Sequence, residues 1–250
     1  MQIRYSVSIW NYTHYASIPS LDEIIDELRA LDYGIELWPS WEWEAPLKDR
    51  ETRAHIREKL TGMRVSLHTG GVATREEHAA QIDMASELGA SVLVLHPSDL
   101  QGTDRRRPDL DLSHWVANYA IDRGVKPALE NGQYPFLREV FENVPQMSAC
   151  LDVGHVYLTD QPMARFLELM GPHLVHVHLQ DIISAPERSL PNPPQDHNIP
   201  GTGGIPEADW RLFIAKLREL DFDGTGVFEI RPRSVLQSAL LGKLHMARIL

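Results

Sequence analysis

The sequence contains a single cysteine, Cys150, so no disulfide can form within the chain. It has no apolar run near the ~20 residues that cross a bilayer, and its first residues lack the apolar core and cleavage site of a signal peptide. We therefore expect a cytoplasmic protein with no membrane partner. Because Cys150 lies within an apolar run, we expect a small buried packing residue.

Positive charge is also scarce, because the chain has 24 lysines and arginines but 35 acidic residues, which gives a net charge of −11. Such a charge repels a phosphate backbone, so nucleic acid is not an expected partner. One local exception is Arg105-Arg106-Arg107, which follows the apolar run that ends at His96. A run of this kind is ordinarily a solvated loop, and a phosphate or nucleic-acid contact is the alternative.

A glycine-rich phosphate turn is missing after the first predicted strand, where the chain has Trp10-Asn11-Tyr12. This absence disfavours an open doubly wound sheet, the main alternative to a closed barrel. Eight strand-and-helix units follow one another along the chain. The predicted strands cover residues 3–9, 34–38, 64–68, 91–96, 127–130, 148–152, 174–179 and 226–230. The predicted helices cover residues 21–31, 49–60, 74–89, 113–123, 136–144, 162–170, 207–220 and 235–249.

The length and composition fit one barrel domain. With 250 residues, of which 43% are hydrophobic and 24% charged, the chain has the usual size of a (β/α)8 domain and an ordinary globular composition. Apolar strands such as residues 91–95 are typical of a parallel sheet covered by helices. We predict a single (β/α)8 TIM barrel over residues 1–250.

Six of the apolar runs end in a histidine or a carboxylate. These residues are His68, His96, Glu130, Asp152, His178 and Glu229. Their separations of 28, 34, 22, 26 and 51 residues exclude ligand pairs on one helix but suit successive barrel strands, whose carboxyl ends open into one shared mouth. Buried together, such carboxylates and imidazoles would be costly without a cation, so the pattern predicts a metal site.

The segments LHTG, LHP, LEN, LDVGH, HVHLQD and FEIRP, in this order at predicted strand ends, resemble the xylose isomerase-like barrel superfamily. That superfamily contains sugar and sugar-phosphate isomerases and epimerases, together with endonuclease IV. The resemblance implies one divalent ion held by Glu130, Asp152, His178 and Glu229. Three carboxylates and one imidazole suit manganese, magnesium or cobalt, with zinc also open. It also implies that Glu130 and Glu229 transfer protons next to a substrate carbonyl.

The same resemblance implies roles for four further histidines. His68 and His96 match positions that contact substrate in the sugar-acting members and hold an extra metal in the endonuclease branch. His155 and His197 match positions of a third metal site in the endonuclease, and the first contacts substrate in epimerases. The sequence Gln195-Asp196-His197 departs from the endonuclease pattern, which has an aspartate two residues before the histidine.

Five other residues each have more than one possible role. Glu36 and Trp38 alternate on the second strand, where Glu36 suits a sugar hydroxyl, support of a metal ligand or a structural hydrogen bond. Trp41 and Trp43 follow and suit either stacking on a sugar or loop packing. Arg231, two residues after Glu229, suits either a clamp on a substrate phosphate or carboxylate or an ion pair at the barrel rim.

The remaining predictions concern one loop and five histidines. The proline- and glycine-rich stretch of residues 181–206 follows the seventh strand and is predicted to be a lid or binding loop over the mouth. His176 is predicted to be a buried packing residue, one strand repeat below His178. The helical histidines His55, His78, His114 and His245 are predicted to be surface or packing residues.

These observations favour a metal-dependent isomerase or epimerase of a small carbohydrate. The substrate would be a sugar, a keto-sugar or a sugar phosphate. The alternatives are an endonuclease IV-like zinc phosphodiesterase, a metal-assisted lyase or aldolase on the same barrel, and a non-catalytic sugar binder. The sequence does not distinguish a monomer from a homo-oligomer.

Overall fold

The computed structural model describes residues 1–182, 196–231 and 234–250, and its centre is a closed barrel of eight parallel strands. Each strand pairs with the next in chain order, and β1 also pairs with β8 to close the barrel. The strands are β1 (Gln2–Ser8), β2 (Gly34–Leu37), β3 (Val65–His68), β4 (Val92–Leu95), β5 (Lys126–Glu130), β6 (Ser148–Asp152), β7 (Leu174–Leu179) and β8 (Asp223–Phe228). The predicted (β/α)8 barrel is confirmed.

Nine α-helices lie outside this barrel in the described part of the chain. They are α1 (Leu21–Ala30), α2 (Glu44–Lys48), α3 (Arg50–Lys59), α4 (Arg75–Leu88), α5 (Leu110–Asp122), α6 (Tyr134–Asn143), α7 (Met163–Met170), α8 (Glu207–Glu219) and α9 (Val235–Ile249). The predicted capping box of α1 is present, because Ser20 and Glu23 satisfy each other's backbone N–H groups. Helix α5 begins earlier than predicted because the Asp109 side chain caps it by accepting from Leu112 N.

The main hydrophobic core lies between the strands and the helices. A separate small apolar cluster consists of the strand residues Val92, Val94, Ala128 and Cys150. Cys150 is buried as predicted, and this burial raises the pKa of its thiol to about 12. No helix among the described residues is long and apolar enough to cross a membrane.

Side chains alternate between the two faces of a strand, so those that face into the barrel form layers. In the pairing of β6 with β7, Asp152 lies opposite His178, and Cys150 lies opposite His176 one layer lower. The upper layer opens at the carboxyl ends of the strands, where barrel enzymes carry their active sites. Of the predicted lid, residues 183–195 lie outside the described residues, while Asp181 and Asn198 pair through both backbone N–H groups.

Candidate metal centre and active site

Four side chains of the upper layer converge on one point. Glu130, Asp152 and His178 end or nearly end β5, β6 and β7, and Glu229 directly follows β8; all four are buried. One ligand atom from each lies within 4.8 Å of the others. Two ligands on opposite sides of an ion bound at about 2.4 Å are about 4.8 Å apart, so the cluster has the dimensions of a single divalent-ion site.

The Nδ1 atom of His178 lies at the centre of this cluster. It is 3.0 Å from Glu130 Oε1, 3.1 Å from Glu229 Oε2 and 3.8 Å from Asp152 Oδ2. Hard oxygen donors with one imidazole nitrogen suit manganese, magnesium, cobalt or zinc. The donor set and its spacing therefore fit the divalent ion that the sequence implies.

The charged groups of the cluster shift one another's pKa values. Burial alone would raise the pKa of Glu130 and Glu229, but His155 beside the first and His178 beside the second hold both pKa values well below the usual range. Burial alone would lower the pKa of His178, but the neighbouring carboxylates of Glu36 and Glu229 raise it well above its usual value. Protonated imidazoles thus neutralise the carboxylates, and a divalent ion that binds such a site displaces these protons.

Glu36 lies fully buried in the layer below the cluster. Its Oε1 atom is 3.2 Å from His178 Nε2, while its Oε2 atom accepts hydrogen bonds from His176 Nε2 at 2.9 Å and from Ser66 Oγ at 3.0 Å. A carboxylate beside Nε2 favours the imidazole tautomer with its proton on that nitrogen. If the ring lost its Nδ1 proton, the lone pair of His178 Nδ1 would face Glu130 and Glu229, as metal ligation requires.

His176 is fully buried, as the sequence predicts, and its partner is this same carboxylate. Burial raises the pKa of Glu36, but His178 and His176 more than compensate and lower it overall. The Glu36 carboxylate is fully buried in this structure and contacts His178 and His176.

His68, His96 and Trp38 line the β2 to β4 side of the mouth. His96 Nε2 is 3.1 Å from Glu130 Oε2, and the His68 ring stacks on the Trp38 ring with 3.8 Å between centroids. Burial and the neighbouring His96 lower the pKa of His68 to about 4, so this ring is neutral at physiological pH. One ligand atom each from His68, His96 and Glu130 forms a second group with metal-site spacing.

His155 and His197 line the opposite side. His155 Nδ1 is 3.5 Å from Glu130 Oε1 and 3.6 Å from Asp152 Oδ2. Burial would lower the pKa of His155, but Asp152 and Glu130 raise it to about 10; Asp196 and Glu229 likewise overcome burial and raise the pKa of His197 to about 9. Asp152, His155 and His197 form a third group with metal-site spacing.

His197 has a left-handed backbone, with a φ of 61°. Its N–H donates to Gln180 Oε1 at 2.6 Å, and its carbonyl accepts from Arg231 N at 2.6 Å. A non-glycine residue in this region costs about 1–3 kcal/mol and is typical of functional sites. These two hydrogen bonds hold the imidazole toward the cluster.

The remaining predicted residues lie at the rim. Arg231 donates to Asp196 Oδ1 at 2.9 Å, and this is the rim ion pair that the sequence analysis gave as one alternative. The Arg231 guanidinium also lies 5.8 Å from the centre of the Trp10 ring. Trp43 is buried and contributes loop packing, whereas Trp41 is 46% exposed. The latter therefore keeps a face that can stack on a ligand.

Several supporting residues were not predicted from the sequence. Gln180 donates to Asp152 Oδ2 at 3.0 Å and accepts from His197 N, so it joins the central cluster to the loop. Asn131 fixes the backbone of Asp152, accepting from its N–H at 2.6 Å and donating to its carbonyl at 3.1 Å. Asn131 lies in the segment LEN and Gln180 in HVHLQD. Their positions next to the predicted ligands Glu130 and His178 were the sequence signal that could have identified them.

Comparison with solved structures gives matches of high coverage and low identity. The IolI protein described with a bound zinc atom has a TM-score of 0.77 and 17% identity, with 99% of this chain and 98% of that chain covered. D-allulose 3-epimerase from Methylomonas sp. has a TM-score of 0.66 and 20% identity, with 99% and 97% covered. The probable 3-DHS dehydratase AsbF from Bacillus anthracis has a TM-score of 0.66 and 16% identity, with 98% of each chain covered.

At these identities the structural matches show the fold alone. No curated protein matches the chain by sequence. The sequence profile described as "Xylose isomerase-like TIM barrel" matches residues 26–243, which is most of the chain. The resemblance seen in the strand-end segments is thereby confirmed, and the chain belongs to the xylose isomerase-like TIM barrel family.

Proposed function

We propose that this protein is a divalent-metal-dependent isomerase or epimerase of a small sugar, keto-sugar or sugar phosphate. The observation that carries the proposal is that Glu130 and Glu229, from separate strands, both lie next to His178 Nδ1, at 3.0 and 3.1 Å. Two carboxylates that reach one point from separate strands can act on opposite faces of a substrate. The solved structures of sugar epimerases with the same fold support this choice.

Proton transfer next to a carbonyl is the step that this geometry serves. When bound, the divalent ion supplies polarisation of the substrate carbonyl, which acidifies the adjacent C–H bond. Glu229 would remove that proton on one face and Glu130 would return it on the other. Their low pKa values keep both carboxylates ionised at neutral pH.

The other residues would bind and orient the carbohydrate. Neutral His68 and the adjacent His96 would contact hydroxyl groups on one side, with Trp38 stacked behind His68. His155 and His197, which carry raised pKa values, would bind electron-rich oxygens on the other side. Arg231 would contact a hydroxyl group of the substrate after exchange of its Asp196 partner.

Solvent-exchange NMR tests the proposal directly. Manganese-loaded protein would be incubated in deuterium oxide with a panel of aldoses, ketoses and keto-sugars. We expect deuterium to enter the carbon next to the carbonyl of the accepted sugar as the isomer or epimer forms. Cleavage of a carbon–carbon or carbon–oxygen bond instead would contradict an isomerase and support the lyase alternative, whose fold-level relative is the probable dehydratase.

A zinc phosphodiesterase is the second candidate, because three of the four groups with metal-site spacing adjoin one another through Glu130 and Asp152. Clustered zinc ions would suit activation of water for phosphodiester hydrolysis. Against it stands the net charge of −11, which opposes DNA binding at physiological salt. We expect elemental analysis to find one ion per chain and near-stoichiometric enzyme to leave abasic duplex DNA uncut. Three zinc ions per chain with efficient incision would reverse this order.

Glu36→Gln is expected to weaken metal binding although Glu36 is not a ligand. The glutamine carbonyl can accept from both His176 and Ser66, which leaves its NH2 group toward His178 Nε2. That contact favours the proton on Nδ1, where it blocks ligation. Loss of such a supporting carboxylate typically costs about 10- to 100-fold in metal affinity.

Calorimetric titration with manganese and the absorption spectrum of the cobalt form measure this effect. Val116→Ala is the matched control, because Val116 is fully buried in α5 and its truncation lowers stability without a contact to the cluster. An unchanged manganese affinity in Glu36→Gln would show that Glu36 does not orient His178.

A further inference from the structure

A pocket of about 440 Å³ lies between the loops that follow β4 and β5. Its lining residues are Pro97, Gln101, Arg105, Arg106, Gln133, Pro135 and Phe136. Pro97 directly follows His96, and Gln133 comes three residues after Glu130. The two loops touch where Gly132 meets Pro97, since a Cβ at Gly132 would lie only 2.8 Å from the Pro97 ring. The pocket is therefore formed by the two loops that follow His96 and Glu130 in the chain.

The loop that carries the arginines is closed by its own hydrogen bonds. Gly102 N donates to Arg107 O at 3.0 Å, Arg107 N to Asp104 O at 2.9 Å, and Asp109 N to Leu100 O at 2.7 Å. The Arg107 guanidinium is held by Glu139 at 2.5 Å. These contacts fix the base of the loop, so its tip is presented in a defined position.

Arg105 and Arg106 at the tip line the pocket, and neither forms an ion pair with any residue in the described ranges. The seven lining residues include no acidic side chain, although the whole chain carries a net charge of −11. Neither guanidinium group pairs with a carboxylate among the described residues, although Asp104 Oδ1 accepts from Arg106 N at 3.0 Å. Guanidinium groups bind phosphate and carboxylate in bidentate fashion.

The opposite wall is the amino end of a helix. Gln133, Pro135 and Phe136 form the start of α6, and the side chain of the N-cap residue Gln133 makes no capping hydrogen bond. The amino end of a helix carries partial positive charge and favours an anion. The side-chain amides of Gln101 and Gln133 add neutral donors, while Pro97, Pro135 and Phe136 supply an apolar floor.

We infer that this pocket is an anion subsite, which binds a phosphate or carboxylate group of the substrate while the carbonyl end reaches Glu130 and Glu229. The substrate class is then an anionic sugar, either a sugar phosphate or a sugar acid. As an assignment of substrate class, the inference rests on the proposed function. The binding site itself does not, so the two can fail separately.

Binding of inorganic phosphate to the metal-free protein tests the site without any turnover. Phosphorus NMR titration would compare the wild type with the Arg105→Gln/Arg106→Gln double variant. We expect the double variant to bind phosphate about 10- to 100-fold more weakly, because hydrogen bonds to charged groups contribute at this level. Arg138→Gln is the control. Arg138 is an exposed arginine on α6, forms only a long ion pair of 3.8 Å with Glu142, and does not line the pocket.

Equal phosphate affinity in the wild type and the double variant would overturn the subsite, even if the enzyme is an active isomerase. Loss of phosphate binding in Arg138→Gln to the same extent would do so as well, since the effect would then reflect general surface charge. A weakened double variant with an intact control supports the subsite, even if no isomerase activity is found.

Steady-state kinetics then separate the two sources of the anion. Neutral ketoses, their phosphate esters and the corresponding sugar acids would be compared in the exchange assay. We expect the double variant to raise KM about 10- to 100-fold for the accepted anionic class, with kcat nearly unchanged and neutral sugars unaffected. A higher KM confined to phosphate esters identifies a phosphate subsite, and one confined to sugar acids a carboxylate subsite. Equal effects on neutral and anionic sugars would contradict the inference.

Discussion

Glu229→Gln is expected to lower kcat by about 10²- to 10⁴-fold with a much smaller effect on substrate binding. Glu229 is buried beside His178 Nδ1, and the isosteric amide keeps an oxygen donor for the ion. The amide cannot accept a proton from carbon, so the acid–base step is lost while the fold and part of the metal binding persist. Loss of the ligand charge adds to the effect.

Solvent deuterium exchange distinguishes this loss from simple misfolding. Wild-type protein should exchange the proton next to the carbonyl of the epimer that presents it to Glu229, and Glu229→Gln should not. Asp181→Asn is a suitable control, because Asp181 is a buried carboxylate that accepts from the backbone N–H groups of Ile182, Gly201 and Ile205. It should lower stability and leave exchange per folded molecule nearly unchanged. Exchange at the wild-type rate in Glu229→Gln would remove Glu229 from the acid–base role.

His178→Ala is expected to abolish tight metal binding and turnover together. Its Nδ1 atom lies within 3.1 Å of both Glu130 and Glu229, so its removal leaves three carboxylates without their nitrogen partner. Loss of a residue that only supports a ligand costs about 10- to 100-fold in metal affinity, and loss of the ligand itself should exceed this range.

Thermal unfolding with and without manganese provides the measurement. At a manganese concentration of 100 times Kd, binding to the folded state stabilises it by about 2.7 kcal/mol. The wild type should show this shift and lose it on chelation, whereas His178→Ala should show no shift at the same concentration. A wild-type shift in His178→Ala would place the ion elsewhere in the protein.

The strand ends could be predicted from sequence because two strong signals coincide there. Apolar runs define the strands, and a polar group at the end of each run stands out against them, as at His178 and Glu229. The closed barrel then brings these ends together without further information. The start of β8 was missed, because Asp223 to Gly226 has low strand propensity and is extended by its pairing with β1.

Contacts between distant strands could not be predicted in the same way. Glu36 and His176 are separated by 140 residues, and their hydrogen bond depends on the stagger of the barrel, which a single sequence does not reveal. For the same reason the sequence left open whether Glu36 meets substrate or a ligand. The pairing of Arg107 with Glu139, which leaves Arg105 and Arg106 unpaired among the described residues, also depends on how a loop packs against α6.

The central claim is that Glu130, Asp152, His178 and Glu229 bind one divalent ion. Anomalous scattering from crystals grown with excess manganese tests it most directly, because the signal locates the metal independently of activity or substrate. We predict one strong peak between the four side chains, with ligand distances of about 2.0–2.6 Å. Well-ordered crystals with no peak between these four residues would contradict the account.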